Sequence, residues 1–139
     1  MGARLAIPRL TDDDVCVLAG HLEEMRRAAE EGDVHAEATA DAAFHGRIVE
    51  LAANATLQRV WKTLEPFSRT YITMVVPGVD GRRIAELHAP VLAALQLRDS
   101  SLAETVIHDH FADTAAMLTR LWASAAPSTS GEESPDRSL

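Results

Sequence analysis

An all-α fold, an antiparallel bundle of about five to six helices, is predicted by three observations. Apolar residues recur every three or four positions through most of the chain up to residue 123, which is the period of one helix face. Short breaks carrying Gly, Pro, Asn or Asp separate these stretches. Nowhere does a run alternate apolar and polar residues in the strand period of two. With 139 residues, 47% of them hydrophobic, the chain is long enough for one domain with a real core and too short for two.

The elements follow in order. Thr11 before Asp12, Asp13 and Asp14 starts a helix, because the hydroxyl can cap a free amide and the acids suit the positive end of the helix dipole. Its stripe Val15, Leu18, Leu22, Met25, Ala29 runs until Gly32 stops it. Asp33 caps the next helix, to about residue 53, with Phe44, Ile48 and Leu51 facing in. Asn54 ends that helix or caps a third over 55–76, which Pro66 should kink by removing a backbone donor. Pro77-Gly78 breaks the chain, and Asp80 caps a helix over 80–97 that Pro90 should bend. Asp99 or Ser100 caps the last helix, to about residue 123. From Ser124 the residues are small, polar and proline-containing. Residues 1–123 are therefore expected to form one domain and 124–139 a disordered tail.

Charge and composition exclude several functions. Lys and Arg number 13 against 21 Asp and Glu, a net charge of -8, with no basic stripe, so the chain alone is a poor match for nucleic acid. The single cysteine, Cys16, rules out an internal disulfide and a C-x-x-C site. No apolar run approaches the ~20 residues of a membrane span, and no signal-peptide layout opens the sequence. A soluble cytoplasmic protein is the expectation.

Four residues carry the chemistry. Asp41 and His45 stand at i and i+4, so one helix face presents a carboxylate and an imidazole a turn apart. His88 interrupts the stripe Ile84, Leu87, Val91, Leu95, and His110 the stripe Ala103, Ile107, Thr114, Met117, Leu121. Singly, an inward His is ordinarily satisfied by a backbone carbonyl, and an Asp–His pair is ordinarily a surface contact. Together they place costly polar groups on inward stripes of three helices, which a divalent metal explains. His21, His35 and His108 lack the pattern. His108, two residues from His110, falls about 200° around the helix. Three imidazoles and a carboxylate suit zinc foremost, or nickel, manganese or iron, rather than calcium. Open coordination positions would let such a metal activate water in a hydrolase or other metalloenzyme, or hold a carboxylate in a sensor; a closed shell would be structural. The sequence shows no unassigned inward carboxylate beyond Asp41 to serve as a general base. That favours the sensor over the enzyme.

Asp41-Ala-Ala-Phe-His45, Leu51-Ala-Ala-Asn54-Ala-Thr-Leu57, His88-Ala-Pro-Val-Leu-Ala-Ala-Leu95 with Asp99 and Ala103, and His110-Phe resemble, in that order, the FCD domain. This is the C-terminal effector-binding domain of GntR-type bacterial transcription regulators of the FadR group, and the resemblance covers roughly residues 3 to 122. It implies an antiparallel helical bundle with a metal held by one Asp and three His, matching Asp41, His45, His88 and His110. It implies further that a small organic acid or sugar acid binds at the metal and rearranges attached DNA-binding domains. Arg69 is the candidate to grip such a carboxylate. In the family a winged helix-turn-helix and a first effector-domain helix come before this point. Here Ala3-Arg-Leu-Ala-Ile-Pro resembles only the last turn of that helix, so the chain is expected to start inside the domain and not to bind DNA alone. Apolar surface uncovered by the missing helix, and the dimeric habit of the family, together lead to an expected homodimer.

Overall fold

The computed structural model describes residues 2–125. Among these residues there is no strand. A one-turn helix α1 (Gly2–Ala6) and a 3-10 turn (Ile7–Arg9) lead into α2 (Asp12–Glu31) and α3 (Val34–Leu51). Two short helices, α4 (Ala55–Thr63) and α5 (Pro66–Met74), are followed by another short pair, α6 (Gly81–Glu86) and α7 (Ala89–Gln96), and the long α8 (Ser100–Ala125) closes the fold.

Local chemistry sets each boundary. Thr11 and Asp14 form a reciprocal capping box at the start of α2. Asp14 is itself buried, and it also accepts from Arg47 Nε of α3 at 3.1 Å, tying the two longest early helices together. Thr11 and Arg47 hold its carboxyl down at about 2, the Thr11 hydrogen bonds being the larger cause. Gly32, at φ 71, ends α2 in the left-handed conformation that costs a glycine least, and Asp33 caps α3 by accepting from the Ala36 amide at 2.9 Å. The resulting two-residue turn sets α2 and α3 side by side in opposite directions. Asn54 and Asp80 cap α4 and α6, and Asp99 accepts from the Leu102 amide at 2.9 Å in the first turn of α8. The last helix extends two residues past the expected end; the tail expected beyond it lies outside the described residues.

Both prolines act more strongly than the sequence reading anticipated. The helix expected over 55–76 is two helices, not one kinked helix. Proline disfavours helical backbone in the residue before it, so Glu65 turns to φ 48 and Pro66 restarts the chain as the first turn of α5. Pro90 likewise divides the helix expected over 80–97. It sits in the first turn of α7, where its missing amide costs nothing, and the break falls on Leu87 and His88.

Two apolar clusters form the interior. The larger joins α1, α2, α3, α7 and α8 through Leu18, Leu22, Met25, Phe44, Val91 and Leu95 among others; the smaller joins Ala38, Met74, Ile84 and Met117. The polar residues of interest lie between them on three paths of chain. On α8, Ala103 belongs to the larger cluster and Met117 to the smaller, with His110 between; Val91, Ile84 and His88 repeat the arrangement around α6 and α7. Because Leu18 is fully buried and Val17 is 45% exposed, Leu18→Ala should lower stability by about 2–5 kcal/mol while Val17→Ala stays within about 0.5 kcal/mol. Urea denaturation of the two variants compares them directly.

Candidate metal centre and cavity

The structure brings Asp41, His45, His88 and His110 to one buried point. They arrive by three routes. Asp41 and His45 project from successive turns of α3, and His110 comes from the middle of α8. His88 occupies the cap position of α7, freed by the Pro90 break, and is the most deeply buried of the four at 0% exposure. One nitrogen from each imidazole lies within 4.8 Å of the others. His45 Nε2 and His88 Nε2 stand 3.0 Å apart, and Asp41 Oδ2 lies 3.1 Å from the same His88 nitrogen.

The hydrogen bonds on the far side of the rings decide what these atoms offer. His88 Nδ1 donates to the Ile84 carbonyl at 3.0 Å and His110 Nδ1 donates to the Leu87 carbonyl at 3.1 Å, since a carbonyl can only accept. In a neutral ring each leaves Nε2 as a lone pair. His88 Nε2 then faces a carboxylate oxygen that also has only lone pairs to give. A cation at this point relieves the conflict, and backbone-oriented imidazoles beside a carboxylate are the donor set of a divalent transition metal. Burial, and then the neighbouring imidazoles, push His45 down to about 3, while burial followed by His88 pushes His110 down to about 4. Burial pushes the Asp41 carboxyl up. The side chains around it, His88, His45 and the Thr70 hydroxyl that donates to it, outweigh burial and hold Asp41 below its usual value.

A cavity of about 490 Å³ opens onto these residues. Its wall is largely apolar, with Trp61 and Leu64 of α4, Met74 of α5, Ile84 of α6 and Phe111 of α8. The face of α5 adds Arg69, Thr70 and Thr73, and Thr70 Oγ1 donates to Asp41 Oδ1 at 3.0 Å. Arg69, the sequence candidate for anion binding, is exposed and its guanidinium has no ion pair among the described residues. Sequence reasoning missed Trp61 and Phe111, whose rings lie 6.0 and 5.3 Å from that of His45. Thr73 was legible once Arg69 was chosen, because residues i and i+4 share a helix face; Thr70, the next residue round the helix, was not.

One expectation is corrected. The sequence showed no inward carboxylate beyond Asp41, yet Glu37, one turn before it on α3, is buried at 2% exposure. Its place at helical spacing before Asp41, His45 and Ile48 was the signal that could have found it. The carboxyl packs against Gly81, where an added Cβ would come within 2.5 Å of Glu37 Oε2, and Oε1 finds no hydrogen-bond partner among the described residues. Burial, then the Asp41 charge, push Glu37 up to about 7. It does not line the cavity. His21 is half-buried, and His35 and His108 are exposed, outside the cluster as expected.

Comparison with known proteins now places the chain. Residues 1–113 match the FCD domain. The chain belongs to the FCD domain family. It is 36% identical over 93 residues to a probable D-xylose utilization operon transcriptional repressor of Paenarthrobacter nicotinovorans, covering 67% of this chain and 41% of that protein. Its backbone is similar to E. coli McbR/YncC with a TM-score of 0.71 at 19% identity, over 89% of this chain and 62% of the other. The FCD chain thus spans less than two thirds of the length of either relative. Among the described residues no helix is long and apolar enough to cross a membrane.

Two predictions follow from the titrating groups. Because His45 and His110 stay neutral well below 6.5, protons compete for the site only in strong acid, so bound zinc should persist at pH 5.5 and be lost near pH 4. His88→Ala or His110→Ala should weaken zinc by at least about a hundredfold and His108→Ala should not; elemental analysis after dialysis at stepped pH reads both, and release already at pH 6.5 would contradict the neutrality of His45 and His110. Glu37 acts in the opposite sense. Its raised folded value stabilises the fold at low pH, and that stability is lost as pH rises from 4.5 through about 7. Urea denaturation of metal-free protein should therefore show Glu37→Gln gaining on the native protein across that window and holding a constant margin above it.

Proposed function

We propose that this FCD domain is the metal-dependent ligand-sensing part of a GntR-type transcription regulator, binding a small organic acid or sugar acid at a divalent metal held by Asp41, His45, His88 and His110. The observation that carries the reading is the cavity of about 490 Å³, a size suited to a small ligand, whose wall includes both the imidazole cluster and the unpaired Arg69. Zinc is the first candidate for the metal. It would supply a Lewis-acidic anchor for a carboxylate; the chain's own residues supply orientation. Arg69 meets the anion from α5, and Thr70 holds Asp41 in place from the same helix. Ligand arrival would thus bear on α5 and α3 at once.

A metalloenzyme is the competing reading, and Glu37 is the observation that favours it. Against it, Glu37 lies outside the cavity wall, behind Asp41 and against Gly81, and so does not reach a water on the cavity side. The sensor reading, with no enzymatic role, accounts for more of the site. DNA contact in this reading falls to a separate winged helix-turn-helix, since the net charge of -8 opposes phosphate, and the place of work is the cytoplasm.

Small mono- and dicarboxylates should raise the melting temperature of zinc-loaded protein, as about 2.7 kcal/mol of stabilisation at a hundredfold excess over Kd requires. Chelated protein should show no such shift, and Arg69→Ala should weaken it. Equal stabilisation of metal-free protein would separate acid binding from the metal. Exposed apolar side chains on α5 and α8, Ile72 at 64% and Trp122 at 62%, support a homodimer. Sedimentation at micromolar concentration should give a species of twice 15.0 kDa, and a stable monomer would count against it.

A further inference from the structure

The cavity wall carries a constraint on the ligand beyond its acid group. Each threonine on it has already committed its hydroxyl hydrogen: Thr70 donates to Asp41 at 3.0 Å, Thr73 to the Arg69 carbonyl at 2.9 Å and Thr114 to the His110 carbonyl at 2.9 Å. These oxygens can accept but not donate. Outside the histidine cluster, the side-chain donors left on the wall are the Arg69 guanidinium and the Trp61 indole N–H, and neither has a hydrogen-bond partner among the described residues. If Arg69 is taken by a carboxylate, the indole is the remaining donor.

A chain of hydroxyls needs acceptors and donors in comparable number, and each hydroxyl left short costs binding. Trp61, Leu64, Pro66, Met74, Ile84 and Phe111 offer apolar surface instead. Behind Trp61 and Phe111 a second space of about 190 Å³ is walled by Ile48, Leu57 and Ile107 among others, so the two rings have apolar volume on both sides. We infer that the effector is an acid with an apolar body, an aromatic or branched-alkyl carboxylate, and not a polyhydroxylated sugar acid. The inference rests on the reading that a carboxylate binds at the metal and Arg69, and it selects within the class that reading allows.

Calorimetric titration of the zinc-loaded protein with acetate, D-xylonate and 3-phenylpropanoate tests it. 3-Phenylpropanoate should bind at least about tenfold tighter than either of the others, because only it fills the apolar wall. Phe111→Ser, at a half-exposed position that should fold normally, should shrink the ratio of phenylpropanoate to acetate affinity. D-Xylonate binding as tightly as phenylpropanoate would overturn the inference while leaving the metal-anchored carboxylate standing. An unchanged ratio in Phe111→Ser would overturn it too, by placing the apolar body elsewhere. No binding of any of the three acids would overturn the metal-anchored reading itself, and the inference with it.

Discussion

The cost of burying His88 organises this molecule. Its ring is wholly removed from water, one nitrogen is committed to the Ile84 carbonyl, and the other faces His45 and Asp41. A polar group so placed is tolerable only if its second nitrogen is also satisfied. The helices around it are arranged so that the groups able to do this meet there. His110 arrives from α8 with its own far nitrogen on the Leu87 carbonyl, one residue before His88, so the same turn of chain orients both rings. The two apolar clusters on either side exclude water from the junction and raise the cost of leaving it unfilled.

Proline placement explains how a short chain reaches this geometry. A continuous helix through residues 80–97 would commit residue 88 to an interior turn. Dividing it at Pro90 puts His88 at a cap, where it can reach inward while α6 and α7 pack against different neighbours. The break at Glu65–Pro66 has a parallel effect. It separates α4, which supplies Trp61, from α5, which lies along α3 and supplies Arg69 and Thr70. The cavity exists because these two helices do not continue one another.

The electrostatic design is asymmetric. Burial keeps His45 and His110 neutral and ready to act as ligands, while Asp41 keeps its charge with help from the Thr70 hydroxyl. Glu37, a turn away, is pushed the other way, up to about 7, so that it holds its proton far above the usual carboxylate range. A second ionised carboxylate beside Asp41 would repel it, and an unpartnered one would be costlier still. Two acids on one helix face thus take different protonation states according to what surrounds each.

Much of this was legible in the sequence. Caps and stops at Thr11, Gly32, Asp33, Asn54 and Asp80 are local chemistry, so the helix starts could be read residue by residue. The Asp41–His45 spacing and the histidines breaking apolar stripes at 88 and 110 were also visible, because a polar residue on a periodic stripe is a local contradiction. Whether Pro66 and Pro90 kink a helix or divide it was not local. A kink needs neighbours that keep the helix ends packed in line, and here α6 packs on α2 while α7 packs on α8, and α5 lies along α3. The burial of Glu37 depended on Gly81, more than forty positions away, leaving room for its carboxyl. The cavity wall was beyond sequence reading for the same reason. Trp61 and Phe111 become neighbours of His45 only when α4 and α8 cross α3. Periodicity tells which face of a helix turns inward, but which faces meet is settled by packing among helices far apart in the chain.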